Sequence, residues 1–267
     1  MTRALSAVVV VVAFAAVPAF AAVKTEKVEY RDAAGTVLEG IVAFDDAVKG
    51  KRPGVLVVHD WMGVSEFTEG KAKELAQQGY VAFVADIYGK AARPKDQKQA
   101  GEFAGKYKKD RALMRSRAQA AFDTLVKNPN VDAAKVAAIG FCFGGTTAIE
   151  LAKNGAALKG VVSFHGGLDA PSAAEGGAGD GKNIKAKLLV LHGADDPYVP
   201  AKDIAAFKKD LNDAKVDWVM TEYADTVHSF TQPQAGTDKS KGAAYNERSA
   251  KRAFAAMKQF FDEIFAG

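Results

Sequence analysis

The sequence predicts an α/β fold, with a mostly parallel central sheet of about eight strands and helices on both faces. Three observations carry this. Strand-like and helix-like segments alternate from Val55 to the C-terminus, the pattern of a parallel sheet with crossover helices. The runs Val55 to Val58 and Tyr80 to Ile87 are continuously apolar, as suits strands covered on both faces. Helical stretches close at Gly79 and at Asn154 and Gly155, residues that tolerate the conformation at a helix end. With 267 residues, 48% hydrophobic and 25% charged, the chain has enough apolar surface for a sizeable core.

The elements follow in order. Residues 1–21 read as a secretory signal peptide: Arg3 supplies a positive start, Ala7 to Val17 an apolar run, and Ala19, Phe20 and Ala21 a small-x-small cleavage site. The run falls short of the roughly 20 residues that span a bilayer. Cleavage after Ala21 leaves residues 22–267 as one domain in a periplasmic or secreted protein, with no membrane attachment once the signal is removed. Val28 to Arg31 and Val37 to Phe44 are strands around a turn at Asp32 to Gly35. After the Val55 strand comes a helix from Glu66 to Gln78, then the Tyr80 strand. Lys95 to Lys127 is charged and periodic, one or two helices ending before Pro129. Val136 to Ile139 is a short strand and Gly144 to Lys153 a helix. Leu158 to Phe164 and Lys187 to Leu191 are strands, separated by a loop over 166–181 rich in Gly, Ala and Ser. A helix from Ala201 to Asn212, a strand from Trp218 to Tyr223 and a helix from Ala243 to Phe265 complete the chain.

A formal charge of +4, with 36 basic residues scattered among 32 acids, offers no basic stripe for nucleic acid. The single cysteine, Cys142, excludes an intramolecular disulfide, and a lone thiol in an exported protein needs a reason.

Its neighbours supply one. Val136 to Ile139 leads into Gly140, Phe141, Cys142, Phe143 and Gly144, and a helix follows. Strand, Gly-x-nucleophile-x-Gly, helix is the layout of a nucleophile elbow, where small residues on both sides let strand and helix approach. The helix start aims backbone N–H groups at the reacting atom and favours thiolate over thiol. A phosphate loop is excluded because no Gly-Lys-Ser/Thr follows, and a dinucleotide site because the Gly-x-Gly-x-x-Gly spacing is missing.

A nucleophilic thiol needs a base, and the base needs an orienting acid. In α/β-hydrolases these follow the nucleophile in the order acid, then histidine. Of His59, His165, His192 and His228, only His228 comes after a strand-end acid that itself follows Cys142. The acid lies in the turn after the Lys187 strand, where spacing leaves Asp195 and Asp196 equally placed; Asp225, close to His228, is a poorer third candidate.

These segments together resemble the dienelactone hydrolase family, across nearly all of the chain after the signal. The most specific pieces are Gly140 to Gly145, Gly193 to Pro200, and His228, Ser229 and Phe230. The resemblance implies an α/β-hydrolase fold and the triad Cys142, Asp196 and His228. It implies oxyanion-hole N–H groups on Trp61 and Phe143. In relatives, a glutamate in the loop after the first parallel strand contacts the resting thiol; Asp60 stands at that position. Relatives acting on dienelactone hold the substrate carboxylate with arginines. One of those positions falls after the Asp86 to Tyr88 turn, where this chain has Lys90 and then Arg93, and another at Gln232; with Tyr88 and Phe230 these residues are expected to bind substrate, though without the paired arginines.

The activity expected is hydrolysis of a small-molecule ester or lactone through an acyl-thioester, with no metal and no organic cofactor. The protein is expected to be a monomer or a weak homo-oligomer. Rival readings are an acyltransferase or peptidase on the same triad, or a non-catalytic binding protein on a hydrolase scaffold.

Overall fold

The computed structural model describes residues 23–169 and 180–266. The signal peptide expected over 1–21 and its cleavage point lie outside the described residues, as does 170–179, most of the loop expected at 166–181. The described chain is a mixed eight-stranded sheet with six α-helices: β1 (Val23–Arg31), β2 (Val37–Asp45), β3 (Arg52–Val58), α1 (Glu66–Gln77), β4 (Val81–Ala85), α2 (Gln97–Lys109), α3 (Arg111–Val126), β5 (Val131–Phe141), α4 (Phe143–Lys153), β6 (Gly160–Phe164), β7 (Lys187–Gly193), α5 (Ala201–Asp213), β8 (Trp218–Tyr223) and α6 (Glu247–Phe265).

The strand order is β1-β2-β4-β3-β5-β6-β7-β8. β1 and β2 form an antiparallel hairpin, and β2 also runs antiparallel to β4. From β4 to β8 every pair is parallel. This is the α/β-hydrolase fold. Leu56 and Val58 of β3 bury into one core layer, with α2, α3, α4 and α5. Val55 and Val57 bury into the other, against α1 and α6. The strand alternates faces, so a run apolar at every position is what two covered faces require. Each such side chain contributes about 1.5–3 kcal/mol of hydrophobic stabilisation.

Several boundaries differ from the sequence expectation, β1 starting at Val23 rather than Val28 among them, and the open choice of one or two helices over 95–127 is resolved. Residues 95–127 form two helices because Asp110 ends α2 and starts α3, where its carboxylate accepts the Leu113 N–H at 2.9 Å. The last helix begins at Glu247 rather than Ala243: Asn246 caps it, and Ala243 pairs with His228 in an isolated β-bridge. β5 starts five residues before Val136, at Val131, pairing with Arg52 across a register shift at Pro53 and Gly54.

Because β3 to β8 all run parallel, their carboxyl ends lie on one edge of the sheet. Strand order reverses between β3 and β5, the position where α/β sheets open a crevice for ligands.

Candidate active site

Cys142 sits immediately beyond β5 as the N-cap of α4, with φ 55° and ψ −116°. A side chain at such a positive φ is strained by about 1–3 kcal/mol, and the surroundings hold it there. A Cβ on Gly140 would lie 1.9 Å from the Gly144 carbonyl oxygen, so strand and helix could not meet at this angle with any larger residue. Phe143 opens α4, where helix geometry leaves the first N–H without an intrahelical partner, and it lines the same cavity as Cys142.

His228 lies after β8. Its Nδ1–H donates to Asp196 Oδ2 at 2.7 Å, and the other Asp196 oxygen accepts the Tyr198 N–H at 2.9 Å. Asp195, on the same turn, is exposed, and Asp225 is exposed and paired with Lys239. Geometry thus separates the two aspartates that spacing left level. Burial alone would lower the His228 pKa. The negative charge of Cys142 and the hydrogen bond donated to Asp196 outweigh it, and the pKa is pushed up to about 10. Cys142 and His228 thus line one cavity, with Asp196 held behind the imidazole.

The loop after β3 is pinned from below. His59 is fully buried; its Nε2 accepts the Ile87 N–H at 3.2 Å, so Nδ1 carries the proton and donates to the Asp60 carbonyl at 2.6 Å. Tyr88 donates its hydroxyl to the Trp61 carbonyl at 2.9 Å, and its ring packs on His59 and Phe143. These bonds engage the carbonyls of residues 60 and 61 and fix the peptide units beside the thiol.

Cys142, Phe143, Trp61 and His228 line a cavity of about 440 Å³. One helical stripe of α2, Gly101, Ala104, Gly105 and Lys108, forms another wall. A second, larger cavity of about 1070 Å³ adjoins it across Trp61, Tyr198, Ser229 and Ala243; Gln97, Gln232, Gln234 and Glu66 give it a polar lining.

The expected substrate contacts divide. Gln232 lines the larger cavity. Four others are drawn elsewhere. Tyr88 is buried beneath Trp61, and Phe230 is fully buried against His165 and Tyr223. Lys90 is exposed and paired with Glu29 and Glu39. Arg93 is bound to the buried Asp86 at 3.1 Å and to the Gly89 carbonyl at 2.6 Å. Asp86 organises that turn, with Oδ1 accepting N–H groups of Tyr88 and Gly89 while Oδ2 holds Arg93. Asp60 is corrected too. Its carboxylate accepts the Met62 N–H at 2.7 Å and a Gln232 amide N–H, and makes no hydrogen bond to the sulfur. Sequence reasoning missed Tyr198, Lys108 and the small residues of α2. The signal for the α2 residues was the i, i+3, i+4, i+7 spacing, which also marks an ordinary surface helix, and Tyr198 sits in a turn with no such pattern.

The sequence model of the dienelactone hydrolase family matches residues 38–265. A solved structure described as a dienelactone hydrolase-like promiscuous phosphotriesterase from metagenomic libraries is 40% identical. It superposes with a TM-score of 0.85 over 91% of this chain and 99% of its own. A structure named m3DLH is 39% identical, with a TM-score of 0.85 over 91% and 98% of the two chains. A Synechocystis sp. protein provisionally named a carboxymethylenebutenolidase is 29% identical over 220 residues, 79% of this chain and 86% of that one.

Proposed function

The chain belongs to the dienelactone hydrolase family and is a hydrolase of that type, and from this premise we propose that it is an exported carboxylic ester or lactone hydrolase working through a Cys142–His228–Asp196 triad. The observation that carries the reading is the strained Cys142 in one cavity with His228, whose other ring nitrogen is held by Asp196. The Synechocystis relative's name points to a lactone, and the two joined cavities offer room for a small ring beside a polar arm.

The cycle begins with Cys142 as thiolate and His228 as imidazolium. Sulfur attacks the carbonyl carbon, forming an S–C bond, and the π pair moves to oxygen. The Trp61 and Phe143 N–H groups accommodate that oxyanion, an arrangement worth roughly 10²–10³ in rate per donor. Collapse breaks the C–O bond, and the leaving alkoxide takes the His228 proton. Water then attacks the thioester, giving its proton to the neutral ring; expulsion of the thiolate releases the acid and restores the ion pair. Amides react poorly by this route, because the thiolate leaves the tetrahedral intermediate more readily than an unprotonated amine.

The test is a panel of activated esters and small lactones with the wild type and Cys142→Ala. Loss of turnover by about 10³-fold or more, with an acyl-sized mass gain on the wild type alone, is expected. Undiminished turnover by the variant rejects the triad. Mass analysis of protein from the extracytoplasmic fraction tests export, with an N-terminus at Ala22 expected.

A second reading follows from the phosphotriesterase relative. The same thiolate can attack phosphorus in an aryl dialkyl phosphate, forming an S–P bond as aryloxide departs, after which water cleaves that bond. Aryloxide release that requires Cys142 is the expected result.

A further inference from the structure

We propose that His165 is a positioning residue of this reaction, a neutral strut that ties the backbone of the nucleophile to the loop carrying the base. The proposal rests on the reading of Cys142 as nucleophile and His228 as base. His165 follows β6, is fully buried, and adopts φ 42°. Its Nδ1 lies 3.1 Å from the Cys142 N–H, which also approaches the Phe164 carbonyl at 3.0 Å. An N–H can only donate, so Nδ1 is the acceptor and the ring proton sits on Nε2. There it meets Thr231 Oγ1 at 2.8 Å. Thr231 is buried and lies three residues after His228. One ring thus contacts the elbow and the base loop at once, spanning 23 positions of sequence on one side and 66 on the other.

Both ends of this strut need holding. Cys142, His165 and Ser229 make up three of the five non-glycine residues with positive φ among the described residues, and all three lie at this junction. A ring fastened to both segments restrains the distance between Sγ and the His228 imidazole, on which proton transfer depends. The ring also packs edge-to-face on His228, with centroids 5.2 Å apart. Burial, then the neighbouring His228 charge, holds its pKa well below that of a free imidazole. It therefore remains an acceptor for the Cys142 N–H while His228 carries the proton.

Thr231→Val keeps the shape and removes only the acceptor for Nε2–H; Thr231→Ser restores a hydroxyl; His165→Asn keeps an acceptor near Cys142 but cannot reach Thr231. Turnover of an activated ester and the rate of Cys142 alkylation by iodoacetamide are read on folded protein. The expected result is a fall in kcat of about 10-fold or more for Thr231→Val and His165→Asn, with KM little changed, slower alkylation, and recovery in Thr231→Ser. Wild-type kcat and alkylation in both damaging variants would overturn the proposal, as would a loss that serine fails to rescue. An active Cys142→Ala would instead reject the triad, so the two failures are distinguishable.

Discussion

Gln232 donates its side-chain amide N–H to the Asp60 carboxylate, joining residues 172 positions apart. The other Asp60 oxygen accepts the Met62 N–H. With both oxygens engaged, the Asp60 carboxylate is held at the larger cavity, which Asp60 and Gln232 both line. Gln232→Leu frees one buried oxygen, so we expect a stability loss of about 1–3 kcal/mol. A released carboxylate also disfavours thiolate nearby, and alkylation of Cys142 should slow several-fold. Asp60→Asn in the same chain should reverse the kinetic part, because the repelling charge is gone. Equal alkylation rates in wild type and Gln232→Leu would show that the link does not govern the sulfur.

The raised pKa of His228, about 10, depends on its neighbours. In Cys142→Ala the sulfur's charge is gone, so the ring should titrate lower, detected by NMR of labelled imidazole. The sign for stability follows. The folded pKa exceeds the roughly 6.5 of a free imidazole, so protonation stabilises the folded protein. That contribution is complete below about pH 6.5 and fades as pH rises towards 10. The Tm gap between wild type and His228→Gln should therefore be widest near pH 6 and narrow by about pH 10. A gap that widens with pH contradicts the assignment.

Besides Cys142 and His228, Lys108 is the one charged side chain among the described residues lining the smaller cavity. Lys90 and Arg93, the positions expected to hold a substrate carboxylate, are bound to acids outside it. An ester carrying a carboxylate should therefore depend on Lys108. Lys108→Glu should lower its kcat/KM by about 5-fold, more than for the matched neutral ester. The difference should shrink in high salt, because Lys108 is exposed and such interactions are screened. Equal losses for both esters would leave Lys108 without a role in charge selection.

The parts of this site legible in the sequence are those set by local backbone constraints. Gly140 and Gly144 around Cys142, between an apolar strand and a helix, state a steric requirement that few other structures impose. His228 follows from chain order. Asp196 and Asp195 differ only in which side of a turn faces inward, and no local pattern records that. Lys90 and Arg93 misled because the turn around them is governed by a buried partner, Asp86, whose hydrogen bonds reach Glu39 as well as Tyr88 and Gly89. The role of His165 was illegible for a similar reason: its two partners lie on different loops, and only the fold brings them to one ring.

The elbow's steric argument makes its own prediction. A Cβ on Gly144 would stand 2.3 Å from the Val58 carbonyl oxygen and 2.5 Å from that of His59. Both are backbone atoms at the end of a buried strand, and neither can rotate aside as a side chain could. Gly144→Ala should therefore cost about 3 kcal/mol, with a Tm drop of about 6–12 °C for a protein of this size. Because Val58 and His59 lead into the Trp61 loop, activity should fall even where the variant stays folded. Gly70 supplies the control. It lies inside α1, and a Cβ added there would meet nothing within 4 Å, so Gly70→Ala should stabilise by about 0.5–1 kcal/mol. If thermal unfolding showed the two substitutions to be equally tolerated, the close approach of α4 to β3 would not be what demands glycine at position 144.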